Sequence, residues 1–424
     1  MMPLGVRGLD QASAALYDRS ARIVGWGTGS VFDYFHGLYP IRLDYLIDND
    51  PLQRGRCRSG FGIAGPERLA TEDAAKTLVI IYSSAWAEIQ QQIQAIGPFT
   101  ALPASAAFAE ASVRTRLAWA ETLASRPPAN RRPRPYNTIV VQGPVVEGVT
   151  AHVLRVMAAL HPSDLLLLST WDDTEPGLLA EARSAADDVV VSPRPAVAGS
   201  QNRNCQIAST KAGIDHAVAM GARTILKMRT DLAVLAPSLF GQARWWLNSI
   251  GGGASRAAGL RERLIVPSTY TRKFLLYHPS DLIMLGASED MARYWSAPLD
   301  LRQGDLLDSS RADRSMASVN MDGYPTESYL GLEFCKTLGR QVQATLHDSW
   351  AFYRDLFAVV DNDWFDLLWF KNLSIPDAAL RTGVRQLVSQ SFWRRLDCGD
   401  SSVDRDLQEV DVDTVALRTL SGAA

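Results

Sequence analysis

Two cations and one carboxylate stand close together in the stretch KMRTD at residues 227–231. The apolar run just before it, at residues 224–226, is typical of a short strand. Ligands of open α/β sheets bind at the carboxyl ends of strands, where Lys227 and Arg229 could neutralise phosphate charge. A lone carboxylate such as Asp231 can hold a divalent metal. The stretch therefore predicts a phosphate or metal site, with an ordinary surface turn as the alternative.

The elements that would position this stretch are apolar runs that alternate with helical patterns. The runs cover residues 137–141, 164–168, 188–191 and 224–226, and the alternation predicts a mainly parallel sheet. Polar residues follow several runs where strands should end: Gln142, Gly143 and Pro144, then Thr170 and Trp171, then Lys227, Arg229 and Asp231. Because the carboxyl ends of parallel strands share one edge, these residues predict a sugar-nucleotide pocket. Simple loop caps are the alternative.

Short sequence blocks follow one another in order between residues 137 and 350. They read VVQGP at 140–144, LSTW at 168–171, NRNCQIASTKAG at 202–213, KMRTD at 227–231, HPSD at 278–281, MLG at 284–286 and PTESYL at 325–330. This series resembles the WavE lipopolysaccharide-synthesis family. The resemblance implies a glycosyltransferase with a nucleotide-sugar-binding fold of the GT-A type, in which Asn202 and Arg203 join the donor-binding residues.

The resemblance also implies a divalent metal at the diphosphate of the donor. Enzymes of the GT-A type usually hold Mg²⁺ or Mn²⁺ with a D-x-D motif at a strand end. Here Arg229 replaces the first acid and Asp231 remains. We predict Mg²⁺ or Mn²⁺ at Asp231, with His347 as the C-terminal ligand. The alternatives are a diphosphate carried by Lys227 and Arg229 without metal, and a surface histidine at position 347.

Two carboxylates are candidate catalytic groups for taking or placing the proton of the acceptor hydroxyl. Asp281 precedes an apolar run, and Glu327 opens a helical pattern after a long polar loop. An inverting transfer needs one such carboxylate as general base, whereas a retaining transfer does not require it at the same place. For Glu327 the alternative is a helix N-terminal acid that the helix dipole favours.

A glycine-rich turn opens the first half of the chain. An apolar run at 22–26 leads through Gly25, Gly27 and Gly29, and a second run at 43–47 ends at Asp48, 19 residues after Gly29. In a dinucleotide fingerprint the glycines let the backbone approach a phosphate and the acid meets a ribose. Ser30 stands where the third glycine or alanine would be. We predict a nucleotide site here; a tight turn without ligand is the alternative.

Residues 20–100 resemble the small Rossmann-like domain that accompanies sugar methyltransferases and capsule-synthesis proteins. The shared features are the glycine-rich turn, DNDP at 48–51 followed by Gly55, and an I-x-x-P-E-x-L pattern at 63–69. Four prolines and four arginines at 126–135 then exclude helix and sheet, which marks a linker. We expect a Rossmann-like domain at 1–125, the linker at 126–136, a GT-A-like domain at 137–360, a helical extension at 361–396 and a frayed acidic tail at 397–424.

Composition excludes several classes of protein. The 424 residues carry a formal net charge of -3, which gives no reason to expect nucleic acid as a partner. Four widely spaced cysteines without a CxxC pair indicate free thiols in a reducing compartment. We find neither a signal-peptide core nor an apolar run of about 18 residues. We therefore expect a cytoplasmic protein, with peripheral contact at the cytoplasmic membrane as an option.

The predicted fold class is α/β, with an N-terminal Rossmann-like parallel sheet, a GT-A-like mixed α/β domain and a C-terminal helical extension. The predicted function is transfer of a sugar from a nucleotide sugar to a saccharide or lipid-linked saccharide of a surface polysaccharide. One alternative is a sugar oxidoreductase or epimerase that uses a dinucleotide in the first domain. Another is a non-catalytic, nucleotide-binding scaffold of polysaccharide assembly, which the missing first acid at Arg229 would favour.

Overall fold

The computed structural model describes residues 11–38, 40–83, 86–126, 131, 133–302, 316–371 and 387–404. The described chain divides into two compact units, one up to Ala118 and one from Trp119 onwards. Both units combine sheets that are rich in parallel strands with helices, which confirms the predicted α/β class. None of the described helices combines the length and the apolarity needed to cross a bilayer.

The first unit contains one six-stranded sheet in the order β3-β4-β2-β1-β5-β6. Its strands are β1 Arg22–Trp26, β2 Tyr45–Ile47, β3 Cys57–Arg58, β4 Phe61–Ala64, β5 Thr77–Ile81 and β6 Thr100–Pro103. Its helices are α1 Gln11–Arg19, α2 Ser30–Leu38, α3 Trp86–Ile96 and α4 Ala104–Ala124, the last of which contains the division between the units. All strand pairs are parallel except β3 with β4.

Alternate residues of the central strands pack on opposite faces of this sheet. Ile23 lies in one core with Phe32 and Phe108, while its neighbour Val24 lies in a second core with Ile93. A strand that is buried on both faces has an uninterrupted apolar sequence, as at residues 77–81. The predicted second strand at 43–47 is shorter than expected and begins at Tyr45.

The second unit contains a seven-stranded sheet in the order β14-β12-β13-β10-β7-β8-β9 and a two-stranded sheet of β11 and β15. Its strands are β7 Arg134–Gln142, β8 Asp164–Trp171, β9 Asp188–Ser192, β10 Thr224–Arg229, β11 Leu232–Val234, β12 Leu264–Pro267, β13 Met284–Ala287, β14 Phe357–Val360 and β15 Leu367–Trp369. Its helices are α5 Thr150–Leu160, α6 Pro176–Ala185, α7 Arg203–Ala219, α8 Leu239–Ile250, α9 Gly253–Ala257, α10 Ser288–Tyr294, α11 Met316–Met321, α12 Thr326–Thr337, α13 Leu346–Leu356 and α14 Gln390–Asp397.

Strands β7 to β10 are parallel, so their carboxyl ends meet at one edge as the sequence predicts. Strand β13 then runs antiparallel to both β10 and β12, which makes the larger sheet mixed. Helix α7 packs on β7 and β8. A Cβ atom at Gly213 of α7 would lie 2.6 Å from a methyl carbon of Val140, so the close approach of helix and sheet requires glycine.

Several expected segment limits differ in the structure. The last three residues of the expected linker at 126–136 belong to β7, and residues 127–130 and 132 lie outside the described residues. The expected helical extension contains strand β15, which pairs with β11. Among its described residues a helix covers Gln390–Asp397, and residues 372–386 lie outside the described residues. Most of the expected tail, from 405 onwards, also lies outside them.

Candidate functional site

A cavity of about 350 Å³ opens at the carboxyl ends of β7, β8 and β10 in the second unit. Most of the residues predicted to bind the donor line it, namely Gln142, Gly143, Pro144, Trp171, Asn202 and Arg229. The predicted metal ligand Asp231 lines it too. The structure therefore brings together residues that are spread over about 90 positions of sequence. Parallel strands produce this convergence, because each of them delivers its next residues to the same edge.

The turns after β7 and β10 are joined by hydrogen bonds from Thr230. Its backbone N–H donates to the carbonyl oxygen of Gln142 at 3.1 Å, and its Oγ1 donates to that of Pro144 at 2.7 Å. Gly143 has a φ of +129°, and a Cβ atom there would lie 3.1 Å from Thr230 Oγ1. The turn therefore needs glycine both for its backbone conformation and for space.

The first turns of α7 form a further wall of the cavity. Cys205, Gln206 and Ser209 line it, and Ser209 Oγ donates to the side-chain oxygen of Gln142 at 2.7 Å. Gln201 and Asn202 precede the helix with left-handed backbones, at φ values of +54° and +60°. The block at 202–213 thus contributes to the cavity mainly through one helix face, a contribution that the predicted pair Asn202 and Arg203 only partly captures.

Arg229 and Asp231 form a two-pronged ion pair at the cavity wall. Nε and Nη2 of Arg229 lie 2.8 and 3.0 Å from the two carboxylate oxygens of Asp231. Burial alone would raise the pKa of the Asp231 carboxyl, but the hydrogen bonds and charge of Arg229 outweigh it and hold that pKa below its usual value. The guanidinium carbon of Arg229 lies 5.5 Å from the ring centre of Trp369, which the pairing of β15 with β11 delivers.

A second arginine of the cavity, Arg194, was not predicted. Its Nε and Nη2 lie 2.7 and 3.0 Å from the two carboxylate oxygens of Asp173, and its guanidinium carbon lies 5.4 Å from the ring centre of Trp171. Lys371 is a third cationic lining residue that sequence reasoning missed. A cation in a polar loop carries no local signal of its role, because the cavity exists only after the strands have paired.

The predicted metal ligand His347 is not a lining residue of this cavity. It is exposed near the start of α13, where its Nε2 lies 3.2 Å from a carboxylate oxygen of Asp404. Asp231 is already paired with Arg229. Over the described ranges, no group of three or more His, Cys, Asp and Glu side chains could hold a metal ion. The donor set does not fit the metal site that the resemblance implies.

A buried loop at residues 268–283 holds the predicted catalytic residue Asp281. Backbone N–H groups of Leu276, Tyr277 and His278 each donate at 2.8 Å, to Asn320 Oδ1, Ser349 Oγ and Tyr353 Oη respectively. Tyr270 and Tyr277 have left-handed backbones, at φ values of +65° and +52°. Side chains from α11 and α13 therefore accept hydrogen bonds from backbone N–H groups of a loop that has no strand or helix of its own.

Asp281 connects to the cavity through Gln206. The side-chain amide of Gln206, which lines the cavity, donates to a carboxylate oxygen of Asp281. The backbone carbonyl of Asp281 accepts a hydrogen bond from Lys227 Nζ. The same Nζ atom lies 4.6 Å from the ring centre of Trp295. Lys227 is fully buried and does not line the cavity, in contrast to the prediction; burial lowers its pKa to about 8. It positions the Asp281 loop against β10.

The second predicted carboxylate, Glu327, faces a histidine of the same loop. Its Oε2 lies 3.5 Å from Nε2 of His278, and its side chain retains 16% exposure. Burial, and next the negative charge of Asp281, raise the pKa of Glu327 to about 8. Burial and the charge of Arg272 lower the pKa of His278 to about 4. Near neutral pH this carboxyl therefore keeps its proton beside an uncharged imidazole.

Two other predicted donor-binding residues lie outside the cavity lining. Arg203 is fully buried, where it forms an ion pair with Asp300 and donates to the carbonyl oxygens of Gly323 and Tyr324 at 2.6 and 2.7 Å. These contacts fix the turn that leads into α12 and Glu327. Thr170 is also buried, with its hydroxyl 3.4 Å from that of Thr174.

The glycine-rich turn of the first unit borders a separate cavity of about 380 Å³. Gly27, Gly29 and Asp48 line it, whereas Gly25 packs under Leu46. The backbone N–H and the hydroxyl of Thr28 donate to one oxygen of Asp48 at 3.0 and 2.5 Å, and the other oxygen accepts from the N–H of Asp50 at 2.9 Å. Asp48 thus closes the turn on itself. Nucleotide binding at these four residues stays a prediction.

Comparison with known proteins identifies the second unit. No curated protein sequence matches the chain. The family model described as WavE lipopolysaccharide synthesis matches residues 137–375, which is more than half of the chain and includes every lining residue of the cavity at the carboxyl ends of β7, β8 and β10. The chain therefore belongs to the WavE lipopolysaccharide synthesis family.

Proposed function

We propose that this protein is a glycosyltransferase of lipopolysaccharide synthesis that moves a sugar from a nucleotide sugar to a growing saccharide. The observation that carries the proposal is the link through Gln206 between the cationic cavity at the strand ends and the pair of carboxylates behind it. Glycosyl transfer needs both features, because the phosphates of the donor require positive charge and the hydroxyl of the acceptor requires a base.

The two carboxylates divide the proton chemistry. Glu327 stays protonated up to a pKa of about 8, while the negative charge of Asp281 is one cause of that shift. Asp281 does not line the cavity, but Gln206 joins its carboxylate to the cavity, so we assign to Asp281 the proton of the acceptor hydroxyl. As the acceptor oxygen forms its bond to the anomeric carbon, the bond from that carbon to the phosphate oxygen breaks and its electron pair leaves with the nucleotide.

The test is nucleotide release from a panel of UDP-, GDP-, ADP-, dTDP- and CMP-sugars, with saccharide acceptors extracted from lipopolysaccharide. We expect release from one donor, and a loss of about 10²-fold or more in kcat for Asp281→Asn, the range of general base catalysis. Asp215→Asn removes a carboxylate of the exposed α7 surface and serves as the matched control. The proposal would be overturned if no donor of the panel binds and none releases its nucleotide.

A further inference from the structure

The cavity contains two arginines that are held by the same arrangement of neighbours. Arg229 pairs through Nε and Nη2 with both oxygens of Asp231 and lies over Trp369. Arg194 pairs through Nε and Nη2 with both oxygens of Asp173 and lies over Trp171. Arg229 and Asp231 are 2 residues apart in the sequence, whereas Arg194 and Asp173 are 21 residues apart. The shared geometry therefore does not come from one repeated sequence motif.

Each arrangement fixes a guanidinium group without using it up. An arginine carries five N–H donors, and pairing through the Nε and Nη2 edge with a carboxylate engages two of them. The aromatic ring restrains the flat face of the group. The donors that remain are thereby oriented before a ligand arrives, which lowers the entropic cost of binding it. Both side chains keep solvent access, at 30% for Arg229 and 45% for Arg194.

The charge of the cavity wall suits an anion with more than one negative charge. Among the described residues, the lining holds the cations Arg194, Arg229 and Lys371 and a single acid, Asp231. The ion pair cancels the charges of Asp231 and Arg229, which leaves the lining a net charge of +2, and Asp173 partly offsets Arg194 from outside the lining. The diphosphate of a nucleoside diphosphate sugar has this charge and offers oxygens to several donors at once.

The same contacts disfavour a divalent cation at this position. A metal at Asp231 would have to share the carboxylate oxygens with the positive charge of Arg229 while two further cations line the same cavity. His347 does not line the cavity, and the described part of the chain offers no group of three metal-binding side chains. Magnesium can be held by one carboxylate together with substrate phosphates and waters, but here Arg229 already donates to both oxygens of that carboxylate.

We infer that Arg194, Arg229 and Lys371 bind the diphosphate of the donor directly, without a divalent metal, and that Asp173 and Asp231 orient the two arginines. This inference rests on the proposed function, because it names how that site takes its donor. The arginines then stabilise the nucleoside diphosphate as negative charge develops on it during bond cleavage. Asp173 and Asp231 are positioning residues, since each of them acts through its arginine.

The experiment measures binding of inorganic pyrophosphate to the full chain by calorimetry, in chelator and again with Mg²⁺ or Mn²⁺. We expect a dissociation constant in chelator within about twofold of the value with metal. Arg194→Ala and Arg229→Ala should each weaken binding by about tenfold or more, the usual size of a lost charge-assisted hydrogen bond. Arg229→Lys should bind more tightly than Arg229→Ala and more weakly than the parent protein, because lysine keeps the positive charge but lacks the paired N–H donors of a guanidinium group.

Matched controls separate a local effect from general loss of charge or fold. Arg155→Ala removes an exposed arginine of α5 that pairs with Glu181 of α6, and this variant should bind pyrophosphate like the parent protein. Asp231→Asn should weaken binding less than Arg229→Ala, since a positioning residue acts indirectly. Unfolding temperatures of all variants should stay near that of the parent, so that affinities compare folded proteins.

Three outcomes would overturn the inference: pyrophosphate binding that requires Mg²⁺ or Mn²⁺, binding that Asp231→Asn abolishes while Arg194→Ala leaves it intact, or no pyrophosphate binding in either buffer. Nucleotide release from the donor panel decides the proposed function separately. Release that requires a metal would keep the glycosyltransferase and remove this mode of diphosphate binding. Release that persists in chelator, with losses for both arginine variants, would support both.

Discussion

The Nε2 atom of His278 lies 3.5 Å from Oε2 of Glu327, while Nδ1 of the same ring lies 3.0 Å from the carbonyl oxygen of Tyr270. A carbonyl oxygen can only accept, so the neutral imidazole carries its proton on Nδ1 and presents a lone pair to Glu327. A protonated carboxyl group can donate to that lone pair, whereas a carboxylate would meet it with a second acceptor. The tautomer of His278 and the raised pKa of Glu327 are therefore consistent with each other.

The first prediction concerns stability between pH 6.5 and 8. The folded protein keeps the Glu327 proton up to a pKa of about 8, whereas the unfolded chain loses it near 4.5, so stability falls as pH rises between these values. His278, with a pKa of about 4, acts below 6.5, and Lys227, with a pKa of about 8, acts above 8. Between pH 6.5 and 8 the free energy of unfolding of the parent protein should therefore fall by at most about 2 kcal/mol. Glu327→Gln should abolish this fall, which urea unfolding measures.

Glu333→Gln on the same helix is the control for this measurement. Glu333 forms an ion pair with Lys336 of the same helix and not with His278. This variant should keep the pH slope of the parent protein. A slope that is the same in the parent and in Glu327→Gln would mean that the Glu327 carboxyl does not hold its proton in the folded state.

The second prediction concerns Gln206, which joins the cavity to Asp281. Gln206→Ala removes the donor that orients the carboxylate and should lower kcat of nucleotide release by about tenfold or more, with a smaller change in KM, because the contact matters most when the proton moves. Lys211→Ala, on the exposed face of the same helix, should leave both constants unchanged. An unaltered kcat in Gln206→Ala would show that Asp281 works without this contact.

Sequence reasoning found the strand ends because their chemistry is local. Apolar runs that end in polar residues predict the carboxyl edge of a parallel sheet, and Gln142, Trp171 and Arg229 all lie there. The direction of β13 is not encoded in this way, since an apolar run reads the same whether a strand is parallel or antiparallel. The apolar run that follows Asp281, at residues 282–285, accordingly contributes only its last two residues to β13, and the pattern does not give the direction of that strand.

Side chains whose function depends on distant partners could not be predicted. Arg203 resembles a donor-binding arginine within its block, yet Asp300, 97 residues away, makes it structural. Arg194 looks like a loop arginine until Asp173 and Trp171 fix it. Position along the chain carries no information on such pairings, because they arise from packing between elements.

The third prediction concerns the contact between α7 and the sheet. Gly213→Ala would place a methyl group 2.6 Å from Val140 and 2.9 Å from Ser169, and should destabilise the protein by about 1–3 kcal/mol through overpacking. Gly241→Ala in α8 meets no atom within 4 Å and should be neutral or stabilise by about 0.5–1 kcal/mol, as alanine does in a helix. Chemical denaturation compares the two. Equal effects would contradict the close helix packing.

The fourth prediction concerns the glycine-rich turn of the first unit. Asp48→Ala removes the acceptor for two donors of Thr28 and one of Asp50, and should destabilise the protein by about 1–3 kcal/mol. A nucleotide at the predicted residues of this turn should raise the unfolding temperature of the parent protein by several degrees in NAD or NADP. Thermal shift measurements test both statements. An unchanged unfolding temperature with both dinucleotides would favour a tight turn without a ligand.

The buried loop at 268–283 has a consequence for how the protein is made. Its backbone partners Asn320, Ser349 and Tyr353 are synthesised after it, and Trp369, which lies beside Arg229, comes later still. Since the ribosome releases a chain from its N-terminus, Asp281 and Arg229 emerge long before the residues that hold them in place. A chain whose translation stops before α13 therefore contains β7, β8 and β10 but lacks Ser349, Tyr353 and Trp369, and it cannot form the contacts that hold the Asp281 loop and Arg229.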